Sequence, residues 1–226
     1  MQKRNFIRTA AVTALAASLG MAWAQDATFK IGLLLPLTGP FASTGKQLES
    51  AARLYIAQNG DTVGGKKVQL IVKDDTGVAD VSKRLAQELV VNDKVNVLAG
   101  FGLTPLAMAS ATIATQSKTP MVVMAAATSS ITEASPYIVR SSFTVPQVVT
   151  ILADWAIKND IRKVVTLVTD YAPGVDSETW FNQRFVAQGG VVVESLRVPL
   201  RSPDFAPFLQ KVRDAKPDAL FVFVPS

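Results

Sequence analysis

The chain has 226 residues, of which 49% are hydrophobic and 18% charged, enough to bury a core and far from the composition of a disordered chain. It contains neither cysteine nor histidine, which excludes disulfides, thiol nucleophiles, Cys/His zinc sites, Ser-His-Asp triads and any imidazole acid or base. The formal net charge is +5, but Lys3, Arg4 and Arg8 supply three of those charges, and no later cluster of Lys/Arg with interleaved aromatics suggests nucleic-acid binding.

In chain order, a basic start is followed by an uncharged run from Thr9 to Ala24 that ends in Ala22-Trp23-Ala24. Basic residues, an apolar stretch and a small-residue cleavage pattern make an export signal over residues 1–24, so a periplasmic location is expected. The run is too weakly hydrophobic to suggest a permanent membrane span. With no cysteine after the cleavage pattern, a lipoprotein anchor is excluded. Beyond it, apolar β-type runs recur at Phe29–Leu35, Val68–Val72, Val95–Ala99, Met121–Val123, Val164–Val168, Val191–Val198 and Ala219–Val224.

Helical patterns lie between most of these runs. Gln47–Asn59 puts Leu48, Ala51, Ala52, Tyr55 and Ile56 on one face, and Val81, Leu85 and Leu89 step by four. Leu106–Gln116, Pro146–Lys158, Thr179–Gln188 and Phe205–Asp214 complete the set. Nearly uninterrupted apolar strands alternating with helices predict an α/β fold with buried parallel sheets and right-handed crossovers.

The alternation pauses between Ala125 and Pro146, a stretch rich in Ser and Thr. Arg140–Pro146 reads as a crossing between two lobes, the first spanning residues 25–140 and the crossing plus second lobe spanning 141–226. The second lobe then has only three strands, and the chain stops at Val224-Pro225-Ser226 directly after one of them. The expectation is a fragment of a longer chain, its second lobe incomplete, with Phe221 and Phe223 poorly covered and a sheet edge open.

Several strand ends carry chemistry. Gly39–Gln47 opens a helix after a strand, but its glycines at 39 and 45 are spaced wrongly for a phosphate loop; Thr44 with Gln47 three residues on reads as a capping box. Gly100-Phe-Gly-Leu-Thr104-Pro105 lacks the third glycine of a dinucleotide fingerprint. Pro105 suits a first helical turn. Thr104 beside it either caps the helix or, with the free N–H groups there, receives a small carboxylate. Ala125–Ser130 is either a plain Ala/Ser loop or a place where a ligand approaches backbone and hydroxyls at a strand's carboxyl end. Tyr171, in Asp170-Tyr-Ala-Pro-Gly174, either covers a cleft from the second lobe or packs over its own turn. Asp74 and Asp75 are neighbours on an extended segment and point apart; turn and capping roles fit them better than a metal or catalytic pair.

Taken together, IGLLLPLTGPFASTGKQ, GGKKVQLIVKDDTG, AGFGLTPLA, AAATSSITEASPYIVRSSFTVPQ and DYAPG resemble the periplasmic solute-binding proteins of the branched-chain amino acid ABC-importer family. The likeness runs from Ala27 to Ser226. It implies the type I periplasmic binding fold, two Rossmann-like lobes closing over a ligand. Carried onto this sequence, it implies ligand contacts at Thr104 with Leu103 beside it, at Ala126, Ala127 and Thr128, at Tyr171, and along Phe41–Thr44. It also implies a small carboxylate-bearing ligand, an inner-membrane permease as partner and a monomer. No catalytic residue, metal or cofactor is implied. The family's acidic residue for a ligand amino group falls beyond Ser226, and GFGLTP looks like the branch that takes aromatic or other organic acids. A ligand-sensing receptor domain and a secreted α/β enzyme are the alternatives.

Overall fold

The strand β1 (Thr28–Leu35) is apolar almost throughout because it lies inside a parallel sheet with helices on both sides. The computed structural model describes residues 28–201 and 204–224; the expected export signal lies outside them. After β1 come α1 (Ala42–Asn59), β2 (Thr62–Val63), β3 (Lys66–Asp74), α2 (Ala79–Val91), β4 (Val97–Gly100), α3 (Thr104–Ser117) and β5 (Met121–Val123). A 3₁₀ turn (Ser129–Glu133) leads to β6 (Ile138–Arg140). The remainder is α4 (Val145–Lys158), β7 (Lys163–Thr169), α5 (Ala172–Ala187), β8 (Val191–Val198), α6 (Ala206–Ala215) and β9 (Ala219–Phe223).

These strands form two sheets. The first has the order β2-β3-β1-β4-β5-β6 and the second β8-β7-β9. Every pairing is parallel except β2 with β3. That hairpin turns through Gly64 and Gly65, both at positive φ, where glycine carries no steric penalty. In each sheet the earliest long strand, β1 or β7, has its two successors on opposite sides. Such a reversal of strand order opens a crevice beyond the strands' carboxyl ends.

The core follows the sheet faces. On one face of the first sheet, Leu34, Leu98, Phe101, Met121 and Val123 pack with Leu85 and Leu89 of α2 and Ala107, Ala111 and Ala114 of α3. On the other, Leu33 and Leu35 meet Leu48 and Ala52 of α1. In the second sheet Val164 and Val168 pack with Val149 and Ala153 of α4 and with Phe181 and Phe185 of α5. The opposite face carries Val165, Leu167, Leu196 and Val198 under Phe208 and Val212 of α6.

Four expectations need correction. Ile138–Arg140, given no element in the stretch between Ala125 and Pro146, pairs with β5 as a further strand; with three residues it leaves no periodic signal. The helix expected from Thr179 begins at Ala172, because Pro173 occupies its first turn, where proline's missing N–H costs nothing. Thr44 caps nothing: α1 starts at Ala42 with Phe41 at its N-cap, and the Gln47 side chain donates to Ser43 Oγ instead, at 3.1 Å. A Gln side chain does reach back to an N-cap amide one lobe later, where Thr144 N donates to Gln147 Oε1 at 2.8 Å. Finally, Phe221 is buried and stacks on Phe181 with ring centroids 4.1 Å apart. The expected open edge is present: among the described residues β9 has β7 as its single neighbour.

Candidate ligand cleft

The carboxyl ends of β1, β4 and β5 turn toward those of β7 and β9, and each turn is held by local chemistry. After β1, the chain is pinned by Asp74, which accepts from Leu37 N at 2.8 Å, Thr38 Oγ1 at 2.6 Å and Thr76 N at 2.8 Å. Burial alone would raise the Asp74 pKa, but these hydrogen bonds outweigh it and hold the carboxyl below its ordinary value. Asp74 thus sets the loop that delivers Phe41. The helix beyond packs hard on that loop: a Cβ at Gly45 would stand 2.1 Å from the Pro36 carbonyl oxygen.

After β4, Gly100 and Phe101 both take positive φ. Phe101 N then donates to Leu34 O at 2.9 Å and Ala126 N donates to Phe101 O at 3.0 Å. This sews the turns after β1, β4 and β5 into one surface. α3 begins at Thr104 with Pro105 in its first turn, as its sequence predicts. Thr104 does not cap the helix through its side chain. Its Oγ1 lies 2.8 Å from Thr128 Oγ1, and both residues are buried. When Thr128 donates to Thr104, the Thr104 proton is left for an acceptor in the cleft. Thr128 is braced from behind, its carbonyl accepting from Arg140 Nη2 at 2.6 Å.

From the second sheet, Tyr171 stands at the N-cap of α5, its amide donating to Thr169 O at 2.9 Å. Burial pushes its phenol up to about 12, so the hydroxyl stays protonated and can donate. Gly174 lets α5 start flush with β7; a Cβ there would lie 1.8 Å from Thr169 O.

Together these turns enclose a cavity of about 450 Å³, within the usual range of roughly 300–1,000 Å³ for a small-molecule site. Phe41, Thr44, Leu103, Thr104, Ala126, Ala127 and Tyr171 line it. Thr128, also expected there, stands behind Thr104 rather than in the wall. The sequence reading did not place Phe143, Val145, Val148 or Leu152 in this wall, nor Phe223 at the end of β9 and Val224 after it. For Val145, Val148 and Leu152 the signal was the apolar face of α4, indistinguishable in sequence from core packing. The walls are apolar and the hydroxyls of Thr44, Thr104 and Tyr171 are the side-chain polar groups among them. Such a site suits a small ligand with an apolar body and a polar end.

The Asp74–Asp75 pair serves turns, as expected. Asp75 is fully buried, and its Oδ1 accepts from Gly77 N at 3.0 Å. It does not cap α2. Among the described residues no group of three or more His, Cys, Asp or Glu could hold a metal ion.

Comparison with known proteins agrees with this geometry. A family model described as periplasmic binding protein matches residues 28–226. Leu/Ile/Val-binding protein homolog 6 of Brucella abortus is 44% identical over 218 residues, 96% of this chain and 56% of the relative. A solute-binding protein of an ABC transporter from Rhodopseudomonas palustris BisB5, solved with 3,4-dihydroxybenzoic acid, is 62% identical with a TM-score of 0.86. The match covers 89% of this chain and 55% of that one. A second such protein, from R. palustris HaA2 and solved with p-hydroxybenzoic acid, is 44% identical with a TM-score of 0.86, covering 88% and 54%. The chain therefore spans a little over half the length of the relatives it matches.

Proposed function

Because the chain belongs to the periplasmic binding protein family, we propose that it captures an aromatic carboxylate for an ABC importer, acting in the periplasm and handing the ligand to an inner-membrane permease without altering it. The observation that carries this reading is an apolar cavity with Thr104 in its wall, the Thr104 hydroxyl paired with that of buried Thr128. The likeness to proteins solved with hydroxybenzoates supports the same ligand class.

The ring of the ligand lies between Phe41 and Leu103 on one side and Tyr171 on the other, and the carboxylate meets Thr104. A hydrogen bond to a charged group contributes about 1.5–3 kcal/mol. One such bond from the Thr104 hydroxyl, together with burial of a ring, contributes toward a micromolar constant of about −8 kcal/mol. Phe41 and Tyr171 come from different sheets, so ligand binding draws the two halves together.

Calorimetric titration of the full chain with 3,4-dihydroxybenzoate, 4-hydroxybenzoate, benzoate and leucine tests the proposal. Micromolar or tighter binding of a hydroxybenzoate is expected, with at least tenfold weakening in Thr104→Ala. Binding of leucine with no response to the benzoates would overturn the aromatic class and favour the amino-acid reading suggested by the Brucella relative's name. Unchanged affinity in Thr104→Ala would remove Thr104 from the site.

A further inference from the structure

Asp176 lies in the second turn of α5, outside the cavity wall, yet its carboxylate reaches the other half of the molecule. Its Oδ2 accepts from Ser129 N at 2.9 Å and its Oδ1 accepts from Ser129 Oγ at 3.1 Å. Oδ1 also accepts from Trp180 Nε1, within α5, at 3.1 Å. Ser129 follows directly on Thr128, whose hydroxyl meets Thr104 and whose carbonyl is held by Arg140. The Arg140 guanidinium is in turn attracted by the Asp176 charge. A single carboxylate from the second half therefore grips the residue next to the Ala126–Thr128 loop of the first.

The geometry points to Asp176 as a positioning residue: a clasp across the cleft that holds the ligand loop and favours the closed arrangement in which Thr104 and Tyr171 face one cavity. This rests on the ligand reading above. A contact between two bodies that separate on opening exists in the closed form and is lost in the open one. It therefore adds to the closed population before any ligand arrives. Apparent affinity scales with the competent fraction, so removing the clasp weakens binding even though no ligand contact is deleted. Charged hydrogen bonds are the strong ones, and two from one residue also fix orientation.

The test uses the full chain, with hydrogen exchange of the unliganded protein and titration with 3,4-dihydroxybenzoate. In Asp176→Ala, amide exchange over residues 126–131 is expected to rise at least tenfold and Kd at least tenfold, with the melting temperature within a few degrees of the parent. Ser129→Ala alone, which keeps the amide contact, raises Kd about threefold and adds nothing on top of Asp176→Ala. Trp180→Phe removes the other Asp176 partner and leaves loop exchange and Kd within twofold. Loop exchange and Kd both within twofold of the parent in Asp176→Ala would overturn the clasp. So would an equal loss in Trp180→Phe, which places the effect inside α5. Failure of the parent to bind any benzoate refutes the ligand reading on its own, while the exchange comparison without ligand still decides the clasp.

Discussion

Substituting Thr104 by Val keeps the shape of the side chain and deletes its hydroxyl. Thr104 is 2% exposed and Thr128 7%, so the Thr128 hydroxyl loses its 2.8 Å partner where water does not replace it. Stranding a buried hydroxyl costs about 1–3 kcal/mol. For a chain of this length each kcal/mol moves Tm by about 2–4 °C, so Thr104→Val should melt about 4–8 °C lower. In Thr128→Val the Thr104 hydroxyl keeps the cleft as an outlet, so the loss should be smaller. The double variant replaces both partners by apolar groups of the same shape, which is close to neutral; it should recover to within about 1 kcal/mol of the parent, a coupling of the kind double-mutant cycles measure. Ligand affinity follows a different course, lost in Thr104→Val and not regained in the double variant. Thermal melts of the four proteins, paired with titration, separate these effects. Additive destabilisation in the double variant would refute the pairing as the source of the cost.

Asp75 supplies a pH-dependent prediction. Burial, opposed by the Gly77 amide and reinforced by the Asp74 charge, pushes its carboxyl up to about 6 from 3.8. The native state thus holds a proton that the unfolded chain releases, so this group's contribution to stability is present below about pH 4 and lost as pH rises through about 6. Asp75→Asn should therefore gain on the parent by about 2–3 kcal/mol at pH 7.5, and the gain should shrink toward pH 4.5; a difference independent of pH would contradict this. In Gly174→Ala the new methyl meets a backbone carbonyl that cannot rotate away. A cost of about 1–3 kcal/mol is expected, seen as a lower urea midpoint with an unchanged slope.

Much of the layout was visible in the sequence because long apolar strands and four-step helical faces announce themselves; β1, β8 and α2 are examples. The departures share a physical origin. β6 is three residues long and is recognised by its partner β5, not by any pattern of its own. Pro173 and Gly174 suggest a turn in isolation, yet proline is welcome in a first helical turn and glycine is needed where α5 meets β7. The site divides the same way. Thr104, Ala126, Ala127 and Tyr171 stand at strand ends, where an α/β sheet presents its ligand surface. The Thr104–Thr128 contact joins residues 24 positions apart, and the Asp176–Ser129 contact joins residues 47 apart. Such pairings arise from the way the two sheets meet, which no local window contains. Val145, Val148 and Leu152 were hidden because the wall of an apolar cavity and a packed core ask for the same side chains.

The two glycines set against carbonyls, Gly45 against Pro36 and Gly174 against Thr169, stand at equivalent places. Each follows the central strand of its sheet and lies in the opening turns of the next helix. The molecule thus faces itself with two versions of one joint, although no repeat is visible in its letters. What differs is what each joint carries: Phe41 on one side, Tyr171 on the other. New side chains at either joint would reshape the cavity without disturbing the frame that carries them, because neither glycine lines it.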